Sequence, residues 1–367
     1  MKILFLAHAN SIHSHRWIRF FANAGHTIIW VSLTAPLKTD VITHSSVRFI
    51  FLDKTIFRIP LIGSLAVVVV LKKLLAQEKP DILHVHYVGI NGALASFCNF
   101  HPMVVTAWGS DVLFAGKSFW KRPLVARALR NADLVTCDAE HMREAIIRFK
   151  VPSPRIHIIQ FGIDTKRFMP GQKKQELLEK LGLSGNKTVI SLRTFEPVYD
   201  ISSLIRAVPL VLKKHPDVHI LLVGSGPEEK MLRELVEDLH ISNHVTFLGF
   251  IQNNELPDYL RSVDVYVSTS LSDAGIASST AEAMACGTPI VVTDSGENRS
   301  WINNGENGYL VPTKNPDALA EKIILLLSDS DLRKIVGAAG RKTIQERDDY
   351  YREMEKMSEL YTTLHKN

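Results

Sequence analysis

Short runs rich in β-branched and aromatic residues alternate with helix-length segments along the whole chain, which leaves few folds open. In the first half, strands are expected at residues 3–7, 27–32, 48–52, 82–87, 104–108, 134–137 and 156–160. The pattern restarts at 188–192, 219–223, 245–248, 263–267, 290–293 and 309–311, after the polar stretch 164–186 with its glycines and lysines. Several strands, KILFL and TIIWVSL among them, are apolar on both faces, as parallel strands are when helices cover both sides of a sheet. The expected fold class is therefore α/β, with two Rossmann-like doubly wound domains facing a cleft. Boundaries are expected at 1–165 and 166–345, with 346–367 a C-terminal helix returning to the first domain. A chain of 367 residues is ample for two such cores.

A composition of 46% hydrophobic and 22% charged residues excludes disorder as the organising feature. The net charge of +5 conceals an asymmetry: residues 1–164 carry 19 Lys+Arg against 10 Asp+Glu, or +9, whereas 165–367 carry 24 against 28, or −4. A basic half predicts an anionic surface or ligand as its partner. Cys98, Cys137 and Cys286 form no CxxC pair, so a reduced, cytoplasmic chain is expected. The N-terminal MKILFLAHAN reads as a buried strand rather than a signal peptide. The apolar run 59–71 is too short for a bilayer, which needs ~20 residues, so no transmembrane helix is expected.

The most informative segment is 268–294, STSLSDAGIASSTAEAMACGTPIVVTD. A strand ends in a polar loop that opens a helix with a small, hydroxylated first turn. Unpaired N–H groups at such a helix start, with Ser278, Ser279 and Thr280, suit a diphosphate, and Glu282 one turn further in suits ribose hydroxyls. The same residues also read as an ordinary helix start, with Ser278 or Ser279 as the cap and Glu282 as a solvated first-turn acid.

The segment D-A-G-I-A-S-S-T-A-E-A-M-A-C-G-T-P-I-V-V resembles the donor-site signature of the retaining glycosyltransferases of family four, which have the two-domain GT-B fold. Gln160-Phe-Gly-Ile-Asp164 with Phe168, Val223-Gly-Ser-Gly-Pro227, Phe247-Leu-Gly-Phe250 and Asn307-Gly-Tyr-Leu-Val-Pro312 match that family in order and spacing. The resemblance implies that the second domain binds a UDP- or GDP-linked sugar. Arg193 would hold the diphosphate, and Gly224, Ser225, Gly226, Phe250, Ile251, Gly275, Ile276 and Ser278 to Thr280 would contact the donor. The chain departs from the family twice. The usual Lys five residues after the Arg is Val198, next to Tyr199, so either another cation (Lys213, Arg206 or a basic side chain of the first half) supplements Arg193 or backbone and hydroxyl donors mainly hold the leaving group; the first Glu of E-x7-E is Ala274. Asp273 is expected to take over part of the sugar contact, joining Arg193 and Glu282 as the catalytic set.

The first domain would then bind the acceptor. His8-Ala-Asn-Ser-Ile-His-Ser-His-Arg-Trp17 replaces the family's Gly-rich loop, so Asn10, Ser11, His13 and Arg16 are expected to offer side-chain donors. His86, two residues from His84 on one strand face, is a further candidate. Thr106-Ala-Trp-Gly-Ser-Asp111 resembles the family's "T-x-H-G-x-D" strand end, with Trp108 as an aromatic wall and Asp111 as an acceptor-site carboxylate or a turn residue.

No metal or other cofactor is expected: Asp329-Ser-Asp331 reads as a helix cap, and the histidines lack a matching ligand set. The stretch from Lys117 to Arg130, read as a helix from about Trp120 with Leu124 and Ala128 on one face, could lie on an anionic membrane, as could the apolar run ending in Lys72-Lys73; each also reads as a core-packing helix with a solvated basic face. Nucleic acid is not an expected partner. The function implied is transfer of a sugar with retention to a glycan or lipid-linked acceptor, in cell-surface polysaccharide biosynthesis, peripheral on the inner face of the cell membrane. The alternatives are a nucleotide-sugar 2-epimerase of the same fold, or a catalytically weak binding subunit.

Overall fold

The computed structural model describes residues 1–37, 44–53, 60–113, 121–273 and 275–366. The chain divides into two units, Met1–Phe161 with Tyr351–Asn367, and Gly162–Tyr350. The chain crossings thus fall at 161/162 and 350/351, against the expected 165 and 345.

The first unit holds β1 (Lys2–Leu6), β2 (Thr27–Ser32), β3 (Val47–Phe51), β4 (Ile82–His86), β5 (Met103–Thr106), β6 (Leu134–Cys137) and β7 (Ile156–Ile158). They form one parallel sheet in the order β3-β2-β1-β4-β5-β6-β7. The second unit holds β8 (Lys187–Ser191), β9 (Val218–Val223), β10 (Val245–Gly249), β11 (Val265–Ser268), β12 (Ile290–Thr293) and β13 (Tyr309–Val311), again parallel, in the order β10-β9-β8-β11-β12-β13. Every expected strand is present to within two residues. Strand order reverses between β1 and β4 in one sheet and between β8 and β11 in the other. Ligands of doubly wound sheets bind beyond the carboxyl ends of the strands at such a switch point.

The cores follow from the two-sided strands. Leu4 and Leu6 of β1 enter one apolar cluster with Leu83, Val85 and Val105, while Ile3 and Phe5 on the opposite face are equally buried. Each such side chain contributes roughly 1.5–3 kcal/mol on leaving water. The terminal helix Tyr350–Lys366 joins the first unit through polar as well as apolar contacts. Tyr361, fully buried, hydrogen-bonds Nδ1 of His84, and Glu353 accepts the Gln160 N–H at 2.9 Å. Where the chain passes into the second unit, Gly162 has φ +67°, and a Cβ there would sit 2.4 Å from the Tyr350 Cα. Only glycine fits both the backbone and the space.

The helix Lys121–Asn131 corrects one expectation. It buries Val125, Ala128 and Leu129 and leaves Leu124 44% exposed, because the i, i+3, i+4 set begins at Val125 rather than Leu124. Its expected start, Lys117 to Trp120, lies outside the described residues. Among the described residues no helix is long and apolar enough to cross a membrane.

Candidate functional site

Arg193 follows β8 at the switch point of the second sheet. Its Nη2 donates to Oδ1 of Asp273, in the loop after β11, across 2.7 Å, and both side chains are about nine-tenths buried. The guanidinium carbon lies over the Tyr199 ring, 4.1 Å from its centroid. Nε of Arg193 is buried without a hydrogen-bond partner among the described residues. Asp273, expected at the donor sugar, thus commits Oδ1 to Arg193. The place of the missing lysine is structurally occupied: the Val198 carbonyl accepts the Leu271 N–H, the Tyr199 carbonyl accepts the Thr269 hydroxyl, and the Tyr199 ring faces Arg193. Ala274 lies outside the described residues.

The glycine turn after β9 packs on the segment that carries Arg193. A Cβ on Gly224 would meet the Arg193 carbonyl at 2.7 Å, and one on Gly226 the Phe195 carbonyl at 2.5 Å. The Phe195 N–H donates to the carbonyl of Ser225, whose side chain is exposed. The two glycines, expected at the donor, thus act here by allowing two loops to touch. Ile251, also expected at the donor, is buried in the core, while the adjacent Phe250 is 83% exposed.

The helix Ser278–Ala285 begins at Ala277, whose side chain cannot cap it, so neither Ser278 nor Ser279 is the cap. Ser278 is exposed. The hydroxyls of Ser279 and Thr280 instead bond the Tyr266 hydroxyl at 2.9 and 3.2 Å, a residue of β11 that sequence reasoning missed. Burial pushes the Tyr266 phenol above its usual range, so it stays neutral. The first-turn N–H groups are left without a side-chain cap, and Glu282 sits half-buried one turn further in, with Gly275 and Ile276 in the preceding loop. Uncapped N–H groups at a helix start and a buried guanidinium both attract anions.

In the first unit, three of the expected acceptor residues serve the backbone. Asn10 bridges the 35–37 loop, accepting from the Leu37 N–H at 2.9 Å and donating to the Ala35 carbonyl. Ser11 caps the helix Ile12–Asn23 through the Ser14 N–H. Asp111, 3% exposed, accepts the Val88 and Trp108 N–H groups at 2.7 and 3.1 Å; burial raises its pKa against the pull of those amides.

The remaining residues converge. His13 stacks on Phe161 with ring centroids 3.9 Å apart and meets Trp108 edge-on, while His86 lies against Trp108 and Trp17. Nδ1 of His13, Nε2 of His86 and the indole nitrogens of Trp108 and Trp17 are all buried without a hydrogen-bond partner among the described residues. Buried polar atoms are normally paired, each orphan costing about 1–3 kcal/mol, so these four nitrogens are open to partners from outside the described residues, water or a ligand. Arg16 is half-buried and, with burial, lowers the His13 pKa. His86 shares a hydrogen bond with Ser14, and burial lowers its pKa to about 3, so the ring is neutral. Both ring nitrogens of His84 are engaged, by Tyr361 and Thr106, which removes it as a metal ligand. Asp329 caps the helix Ser330–Arg347.

The family described as Glycosyl transferases group 1 matches residues 173–343, and that described as Glycosyl transferase 4-like matches residues 2–139. The GDP-mannose-dependent alpha-(1-6)-phosphatidylinositol monomannoside mannosyltransferase of Mycolicibacterium smegmatis is 30% identical over 262 residues, covering 68% of this chain and 67% of that protein. The chain belongs to the glycosyl transferases group 1. Spore coat protein SA of Bacillus subtilis is 31% identical over 229 residues, covering 58% of this group 1 chain and 60% of that protein. Among solved structures, Anabaena HepE in complex with UDP superposes with TM-score 0.77 at 19% identity, covering 99% of this chain and 100% of that one. A glycosyltransferase from Rickettsia africae gives 0.79 at 19%, covering 100% and 99%. These likenesses establish the GT-B fold for this glycosyltransferase family member.

Proposed function

We propose that the chain transfers a sugar from a UDP- or GDP-linked donor to a hydroxyl of a glycan or lipid-linked acceptor, with retention of anomeric configuration, in the assembly of cell-surface polysaccharide. The observation that carries this reading is the buried Arg193 with its unpaired Nε–H, at the switch point that also bears the uncapped helix start of Ser278. Charge grows on the departing diphosphate as the glycosidic bond breaks, and fixed N–H donors stabilise it without reorganising. Glu282 receives the ribose hydroxyls. In the first unit the His86 and Trp108 nitrogens are the expected acceptor contacts, and the attacking hydroxyl loses its proton to the leaving phosphate. No metal or cofactor takes part in this reading.

Relatives support a lipid-linked acceptor by name, since the Mycolicibacterium protein is a phosphatidylinositol monomannoside mannosyltransferase. A peripheral position on the anionic inner face of the cell membrane is supported by the helix Pro60–Glu78, which exposes Leu65 and Val69 one turn apart beside Lys72 and Lys73. Purified protein is incubated with UDP- and GDP-sugars, with and without a bacterial lipid extract. Nucleoside diphosphate release stimulated by the extract, with a product of unchanged anomeric configuration by NMR, is expected. An isomerised donor without nucleotide release, or binding without turnover, overturns the reading. Glu282→Gln is expected to weaken donor binding about tenfold, the loss of one charge-assisted hydrogen bond.

A further inference from the structure

We propose that Tyr199 is the positioning residue for Arg193, its ring taking the place of the second cation for which the chain has no lysine. The inference rests on the reading of Arg193 as the diphosphate-binding group. A guanidinium carries five donors in a rigid plane, and its usefulness to a diphosphate depends on where that plane is held. Two contacts hold it here, Asp273 at Nη2 and the Tyr199 ring 4.1 Å from Cζ, which leaves Nε–H unpaired.

Tyr199 is itself fixed from the same side of the sheet. The Thr269 hydroxyl donates to its carbonyl at 2.8 Å, and the Leu271 N–H donates to the carbonyl of Val198 at 2.8 Å. Residues 269–271 lead directly into Asp273, so one loop sets both supports of the guanidinium. A lysine at 198 would bring a second charge to the ligand but repel Arg193 while the site is empty. The negative face of an aromatic ring stabilises the lone cation in its buried place without competing for its N–H groups.

The test compares Tyr199→Phe, which keeps the ring, with Tyr199→Leu and Tyr199→Met, two ring-free variants of different shape. Calorimetry measures UDP and GDP against uridine and guanosine, and a thermal melt confirms that each variant is folded. The wild type must prefer diphosphate over nucleoside; if it does not, the reading of Arg193 fails and not this inference alone. Given that preference, the folded ring-free variants lose about five- to tenfold in diphosphate affinity with nucleoside affinity unchanged, the scale of a desolvated cation–π contact, and Tyr199→Phe stays within about twofold. Ring-free variants that keep the full preference, equal losses for nucleoside and diphosphate, or a Phe variant as weak as Leu would each overturn the proposal.

Discussion

Arg193 and Asp273 form an ion pair, Nη2 to Oδ1 at 2.7 Å, between the ends of two adjacent strands and about nine-tenths withdrawn from solvent. Removing one partner of such a pair leaves the other charge buried and uncompensated. Arg193→Ala is expected to cost about 3 kcal/mol in urea unfolding. Asp273→Asn keeps an acceptor for Nη2 but not the compensating charge, and is expected to cost about 2 kcal/mol. Because Asp273 and a diphosphate compete for the same guanidinium, the Asn variant binds UDP or GDP several-fold more tightly while turning over more slowly. Unchanged nucleotide affinity would show that Asp273 does not compete.

Trp108→Phe removes an indole N–H that is buried without a partner and keeps most of the aromatic surface. Relieving an orphan donor is expected to raise stability by about 1 kcal/mol. The acceptor loses a hydrogen bond, so kcat/KM for the acceptor falls about tenfold with the donor KM unchanged. A variant that is both less stable and fully active would make Trp108 a packing residue only.

The pH dependence of stability follows from the buried histidines. Burial, reinforced by His13, lowers His86 from 6.5 to about 3, and burial with His86 drives His84 well down in the same direction. Between those values the unfolded chain binds protons that the folded chain does not, so this stability is complete above pH 6.5 and falls as the pH drops toward 3. His86 alone accounts for roughly 2 kcal/mol between pH 7 and pH 5. Urea titrations of the wild type and His86→Gln at the two values read it directly: the variant has the shallower slope by about one proton. Equal slopes would place His86 protonated in the folded protein.

Two arginines of the basic helix Lys121–Asn131 have structural work. Arg127 lies over the Phe97 ring and donates to the Ser96 carbonyl, and Arg130 donates to the Phe149 carbonyl. A membrane test therefore belongs on the exposed Lys72, Lys73 and Arg122. Replacing all three with Gln is expected to weaken binding to phosphatidylserine vesicles about 100-fold, at about 1 kcal/mol per charge, with the melting temperature unchanged. Unaltered vesicle binding would remove these three residues as the membrane contact.

The two sheets were legible because a strand covered on both sides is a continuous apolar run, and each run here is bounded by polar turns. The family signature was legible for a related reason: the small residues of the helix Ser278–Ala285 and Glu282 lie within a few positions of one another, so local spacing carries the pattern. Partners distant in sequence were not. Asn10 and Ser11 were expected as acceptor-site donors and Asp111 as an acceptor-site carboxylate or a turn residue; all three bond the backbone, because a polar side chain does not announce whether its partner is a ligand or a loop. Tyr266 was missed since, within the strand VYVS, its hydroxyl has no visible partner until the helix start is folded over it.

By itself the sequence determined the α/β class, the two sheets and the family, all properties of local periodicity and short spacings. Tertiary structure alone decided which charges meet. Arg193 and Asp273 are 80 positions apart, and Tyr361 reaches His84 across 277. Such pairs exist only because parallel strands bring their carboxyl ends together at a switch point, and because a terminal helix returns to the first sheet. Coulomb attraction and hydrogen bonding depend on distance in space, which one-dimensional spacing does not contain.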